Sequence, residues 1–94
     1  MAQSVPVSRN TARLESPASR YSVRAVDKAL RILETLGKNS VELSLVELTR
    51  HLNIEKSTLH RLLATLDGRG FVRKDPASLR YSLGIKMLEL GTAV

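Results

Sequence analysis

The sequence contains no cysteine, which excludes a disulfide framework and any zinc site or nucleophile built on a thiolate. No apolar run approaches the ~18 residues needed to span a bilayer, and residues 1–20 lack the continuous apolar stretch of a signal peptide. The expectation is a soluble cytoplasmic protein with no membrane partner. A positioned acid, base, nucleophile or metal set is missing as well. The acidic residues are scattered, His51 and His60 have no ligand-like spacing with carboxylates, and no phosphate-binding glycine loop occurs. Nothing here points to an enzyme, a metal or a cofactor. A chain of 94 residues allows one small domain. Its core must be compact and mostly helical, or completed by a partner.

Positive charge is what the sequence does have, and it is unevenly placed. The net charge of +6 arises from two stretches. Residues 1–20 carry Arg9, Arg13 and Arg20 against Glu15. Residues 56–80 carry Lys56, Arg61, Arg69, Arg73, Lys74 and Arg80 against Asp67 and Asp75, whereas residues 21–55 are balanced. Such asymmetry suggests a polyanionic partner. On charge alone, a merely solvated basic surface is the competing reading.

Residues 1–20 are rich in Ser, Pro, Ala and Arg without a sustained period, and read as a disordered basic arm. Ser22 then caps a first helix running to about Leu36, ended by Gly37. That helix has two apolar stripes. Val23, Val26, Leu30 and Leu33 form the stripe assigned to the core; Ala25, Ala29, Ile32 and Leu36 lie beside it as surplus. Together they are wider than one core requires, which points to a partner subunit. Lys38–Ser40 reads as a turn and Val41–Leu43 as a very short strand.

Ser44-Leu45-Val46-Glu47 is a capping box, so a second helix covers about Leu45–Leu52, followed by a tight turn at Asn53-Ile54. A third helix begins near Glu55 or Lys56 and reaches about Gly68, with Leu59, Leu62, Leu63 and Leu66 at the i, i+3, i+4, i+7 spacing. Gly70 supplies a left-handed stop. Residues 71–74 and 80–83 read as two strands around the turn Asp75–Ser78. A last helical segment follows Gly84, with Met87 and Leu90 turned away from Ile85 and Leu88.

The fold class is therefore mainly α (α+β): a three-helix winged helix-turn-helix with a small β-hairpin wing, followed by the start of a linker helix. Residues 21–83 form the DNA-binding domain and residues 84–94 begin the linker. In such a fold the third helix buries one side and offers the other to a major groove. Opposite its leucines lie Ser57, Arg61, Ala64 and Gly68, flanked by His60 and Thr65. Arg61 can fork onto guanine, while Ser57, Thr58 and His60 can reach base edges or phosphates. Lys56 stands at the helix start, where free amides favour a phosphate. Arg73, Lys74 and Arg80 of the wing, about residues 71–83, suit the backbone or a minor groove. His51 reads as structural.

The stretches SVRAVDKALRILETL, LSLVELTRHLNIEKSTLHRLLATLDGRGFV and RYSLGIKMLELG resemble the N-terminal domain of the isocitrate-lyase-regulator (IclR) family of bacterial transcription factors, over residues 22–91. The resemblance implies a winged-helix reader that acts as a homodimer on a near-palindromic double-stranded DNA operator. It also implies a C-terminal effector-binding domain, absent from these residues, through which alone a small-molecule effector acts. The helix-turn-helix maps to Ser44–Leu63, with Ser44 placed in the DNA-contacting set and Lys56, Ser57, Thr58, His60 and Arg61 as readers. The linker helix begins at Gly84. Glu55 departs from the Pro or Ser frequent there in relatives, and the wing is less glycine-rich than usual. A winged-helix regulator of another family, or a winged-helix protein-interaction module, would share the architecture. The interaction module would present a neutral or apolar third-helix face.

Overall fold

A computed structural model describes residues 22–39 and 42–94. The expected basic arm, residues 1–20, lies outside the described residues, as do Ser40 of the expected turn and Val41 of the expected short strand. Among the described residues are four helices and one hairpin, in the order α1 (Arg24–Asn39), α2 (Leu45–Leu52), α3 (Lys56–Gly68), β1 (Val72–Lys74), β2 (Tyr81–Leu83) and α4 (Ile85–Gly91). This is the mainly helical winged helix-turn-helix that the sequence predicts.

The helix ends follow from local chemistry. Ser44 Oγ accepts the Glu47 amide at 3.1 Å, and Glu47 Oε1 accepts the Ser44 amide at 2.8 Å, so the capping box opening α2 is reciprocal. Asn53, at φ 55°, takes the left-handed conformation that ends α2, one that Asn tolerates better than most side chains. The end of α3 is a Schellman motif. The Phe71 amide donates to Leu66 O at 2.9 Å and the Gly70 amide to Asp67 O at 3.1 Å, with Gly70 at φ 85°.

The core consists of Ile32 and Leu36 from α1, Leu43, Leu48 and Leu52 around α2, Ile54 between α2 and α3, Leu59 and Leu63 of α3, Val72, and Tyr81. This reverses the sequence assignment of α1. Ile32 and Leu36 of the supposed surplus stripe are the buried ones, whereas Val23, Val26 and Leu30 are exposed at 62, 56 and 53%. Leu33 is half-buried against the core. The cause is where the partners of α1 lie, since α1 packs on α2, α3 and β2 through the Ile32 side.

Gly37 also differs from its expected role, because α1 continues through it to Asn39. A Cβ at Gly37 would stand 3.4 Å from Leu83 Cδ1, an ordinary contact, so the position neither stops the helix nor demands a glycine. Arg31 Nη2 donates to Leu52 O at 2.9 Å and fastens α1 to the last turn of α2.

β1 and β2 pair antiparallel, with Val72 opposite Leu83, Arg73 opposite Ser82 and Lys74 opposite Tyr81. The outer edge of β2 forms a bridge to Leu43, whose amide and carbonyl exchange hydrogen bonds with Tyr81 at 2.9 and 2.7 Å. The hairpin is thereby tied to the residue just before the capping box. In α4, Ile85, Leu88 and Leu90 are all exposed and Met87 is half-buried. The expected opposition of Met87 and Leu90 to Ile85 and Leu88 is thus not the division observed. No helix of the described residues is long and apolar enough to cross a membrane.

Candidate nucleic-acid interface

Helix α3 is held from one side only. Leu59 and Leu63 are fully buried, and Leu62 and Leu66 are half-buried against the same core. The opposite side carries Lys56, Ser57, His60, Arg61, Ala64 and Gly68, all exposed. Thr58 is half-buried, and its hydroxyl donates to Glu55 Oε1 at 3.3 Å. Thr65 is turned back on the helix, with its hydroxyl on Arg61 O at 3.1 Å. A shallow cleft at the junction of α2 and α3 is lined by Leu45, Glu55, Lys56, Ser57 and His60. The first turn of α3 contains no acidic residue and receives no side-chain cap from Glu55. Its free amides and Lys56 therefore add positive potential at one point.

The charges of α3 and the wing differ in their partners. Among the described residues, Lys56, Arg61 and Arg69 form no ion pair. The wing cations are all engaged. Arg73 Nη1 lies 3.9 Å from Glu42 Oε2, and Lys74 Nζ sits 5.6 Å from the centre of the Tyr81 ring, within cation–π range. Arg80 Nη1 donates to Glu47 Oε1 at 2.8 Å and to Glu42 O at 3.2 Å. The expected DNA-contacting residues thus fall into two groups. Lys56, Ser57, Thr58, His60 and Arg61 gather along α3, while Arg73, Lys74 and Arg80 lie on a hairpin whose charges face acidic groups or a ring. Ser44 is occupied as a cap. His51 is exposed beside Arg31, Glu34 and Lys38 at the α1–α2 junction.

The carboxylates respond to this wiring. Glu47 is held below its ordinary pKa of 4.5, first by the Ser44 backbone amide; desolvation opposes this, and the Arg80 charge and the side-chain hydrogen bonds of Ser44 and Arg80 lower it further. At the wing tip, Asp75 is held below its ordinary 3.8, first by the Ser78 hydroxyl at 2.8 Å and then by the Ala77 amide. Leu79, which follows this turn, has φ 62° and is exposed at 56%. Sequence reasoning had no signal for it, because neither Gly nor Asn marks the position. No group of three or more His, Cys, Asp or Glu able to hold a metal occurs among the described residues.

Comparison with known proteins supplies the lineage. The IclR helix-turn-helix domain matches residues 25–76. The HTH-type transcriptional regulator XynR of Escherichia coli K12 is 35% identical over 69 residues, covering 73% of this chain and 27% of that protein. The regulator KdgR of the same strain is 39% identical over 70 residues, covering 74% of this chain and 26% of that protein. Among solved structures, an IclR transcriptional regulator from Alicyclobacillus acidocaldarius aligns with TM-score 0.74 and 38% identity, over 77% of this chain and 29% of the other. One from Brucella abortus aligns with TM-score 0.71 and 32% identity, over 79% and 28%. The chain spans about a quarter of the length of the curated relatives it matches. With the matched domain, its winged-helix architecture and its exposed third helix in agreement, this chain belongs to the IclR family of helix-turn-helix transcriptional regulators.

Proposed function

We propose that this chain is the sequence-specific, double-stranded-DNA-reading domain of a transcriptional regulator, with no catalytic activity of its own. The observation that carries the reading is the exposed side of α3, where Lys56 and Arg61 have no acid partner among the described residues and stand beside Ser57 and His60. Arg61, in the middle of that side, forks onto a guanine edge in the major groove. Lys56, Ser57, Thr58 and His60 contact neighbouring bases and phosphates, with the α3 amide terminus on the backbone. Arg73 and Lys74 of the wing face phosphate or an adjacent minor groove, and the arm cations Arg9, Arg13 and Arg20 extend that contact. Such a reader works on chromosomal DNA in the cytoplasm.

The exposed Val23, Val26 and Leu30 of α1 and the exposed Ile85, Leu88 and Leu90 of α4 support a two-fold homodimer. Residues 21–83 constitute the reading domain, and α4 begins the linker toward an effector-binding domain beyond these 94 residues. A dimer sets two α3 helices about 34 Å apart, one turn of DNA, which fits a near-palindromic operator. Pairing is weak in this stretch alone and is strengthened by DNA, since a duplex with two half-sites raises the effective concentration.

The test is Arg61→Ala on a duplex selected from random DNA by the unmodified protein. Affinity for that duplex should fall by about 1–3 kcal/mol, roughly 5- to 150-fold, with preference flattened at one base pair of each half-site. Equal weakening on selected and random DNA would make Arg61 a phosphate contact and remove the base-reading assignment.

A further inference from the structure

Arg80 stands on the wing with the composition of a DNA contact, yet its surroundings belong to the protein. Nη1 spends both of its hydrogens, one on Glu47 Oε1 at 2.8 Å and one on Glu42 O at 3.2 Å. Glu47 is at the same time the acceptor for the Ser44 amide at 2.8 Å. A single carboxylate oxygen thus joins the first turn of α2 to the base of β2. The next residue along the strand, Tyr81, is buried and exchanges two backbone hydrogen bonds with Leu43. Arg73, on the paired strand, faces Glu42 at 3.9 Å. Backbone bridge, charge-assisted bond and a weaker ion pair therefore converge on residues 42–47 from the hairpin side.

We propose that Arg80 is a positioning residue: its bonds to Glu47 and the Glu42 carbonyl fix the wing against the start of the helix-turn-helix, so that wing and α3 meet DNA as one rigid surface. The inference rests on the DNA-reading function proposed above. Without the strut, the Leu43–Tyr81 bridge, the short β1–β2 ladder and the weaker Arg73–Glu42 pair are left, among the described residues, to orient the hairpin on this side. Wing contacts would then have to be ordered at the moment of binding, which costs affinity. The geometry also separates the roles of charge and position. A direct phosphate contact gains when its intramolecular acid is neutralised, because the guanidinium is released; a strut loses.

Glu47→Gln makes that separation, since Gln at this position preserves a capping box and removes only the charge. Three variants, Glu47→Gln, Arg80→Met and Arg80→Lys, would be measured for affinity on a selected duplex across a salt series. Amide hydrogen exchange at Leu43 and Tyr81 would be measured in the free protein. Glu47→Gln and Arg80→Met should each accelerate exchange at both amides and weaken binding by roughly three- to tenfold. The salt slope should stay unchanged, and Arg80→Lys should recover only part of the loss. Tighter binding by Glu47→Gln would overturn the proposal. So would a salt slope that falls by about 0.9 in Arg80→Met and is restored in Arg80→Lys, the signature of one phosphate contact. Should the unmodified chain bind no duplex, the DNA-reading function fails by itself. Faster exchange would then still support the strut, and unchanged exchange would overturn it.

Discussion

Gly84→Ala should damage this fold more than any other glycine-to-alanine change in the described residues, and the reason is a backbone crossing. A Cβ at residue 84 would lie 2.2 Å from the carbonyl oxygen and 2.9 Å from the carbonyl carbon of Gly70. Neither neighbour is a side chain that can swing aside. Relief requires the chain around residue 84 to back away by about an ångström, far for a packed interior. That movement stretches the two bonds made there, Gly84 amide to Phe71 O at 2.8 Å and Lys86 amide to Gly70 O at 3.0 Å. Each bond contributes about 0.5–1.5 kcal/mol, and the residual crowding costs about 1–3 kcal/mol. Alanine returns about 0.4–1 kcal/mol by restricting the unfolded chain. The net loss spans about 1–5 kcal/mol and centres on about 3, a fall in Tm on the order of 10–25 °C for a domain this small. Gly68→Ala is the matched control. Its Cβ meets nothing within 4 Å, and alanine in a helix is favoured over glycine by up to about 1 kcal/mol. Calorimetry of both variants decides the matter. A Gly84→Ala protein melting within about 2 °C of the parent would refute the crossing as a structural constraint.

Three further outcomes follow from the same structure. Leu79→Asn should raise Tm by a few degrees, because Leu79 holds φ 62° while exposed, and Asn adopts that conformation at about 1 kcal/mol less cost than Leu; an unchanged or lowered Tm would show that the Leu79 contacts outweigh the strain. Glu47 and Asp75 are both held below their ordinary values of 4.5 and 3.8. The stability they contribute is therefore fully present above those ordinary values and is lost below them, as pH falls through the lower values of the folded state. Urea midpoints between pH 6 and 3 should decline, less steeply in Glu47→Gln, and parallel curves would contradict the linkage at Glu47. Deleting residues 1–20 should weaken DNA binding and lower the salt slope by up to about 0.9 for each of Arg9, Arg13 and Arg20 that meets phosphate. Tm should not change; an unaltered slope would exclude the arm from the interface.

The helix-turn-helix was the most legible part of the sequence, because its boundaries are written in local chemistry. Ser44 with Glu47, Asn53 and Gly70 each act within a few residues of themselves, and α2 and α3 begin and end where those residues dictate. Helix α1 shows the opposite case. Both of its stripes are apolar, and periodicity cannot say which one the rest of the chain will cover. That choice belongs to α2, α3 and β2, which select Ile32 and Leu36. Gly37 misleads for a related reason: glycine permits a helix stop without enforcing one, and α1 runs through it to Asn39. At the candidate interface, the composition of the α3 face could be read from a helical wheel. The engagement of the wing could not, because Arg80 finds its acceptors 33 and 38 residues away. Exposure of a basic residue is legible in sequence; the acid that neutralises it across the fold is not.

The central claim is that the exposed side of α3 reads base sequence in duplex DNA. Its most direct measurement is the affinity of residues 1–94 for a duplex selected from random DNA, against a scrambled duplex of equal length and composition, over a salt series. Affinity for both should fall log-linearly with salt, because phosphate contacts release counterions. The selected duplex should remain bound at salt concentrations that release the scrambled one, with a preference of at least about tenfold, since each base pair read correctly is worth about 1–3 kcal/mol. Identical curves for the two duplexes, or selection that yields no shared sequence, would contradict the claim and leave α3 as a basic surface without a code.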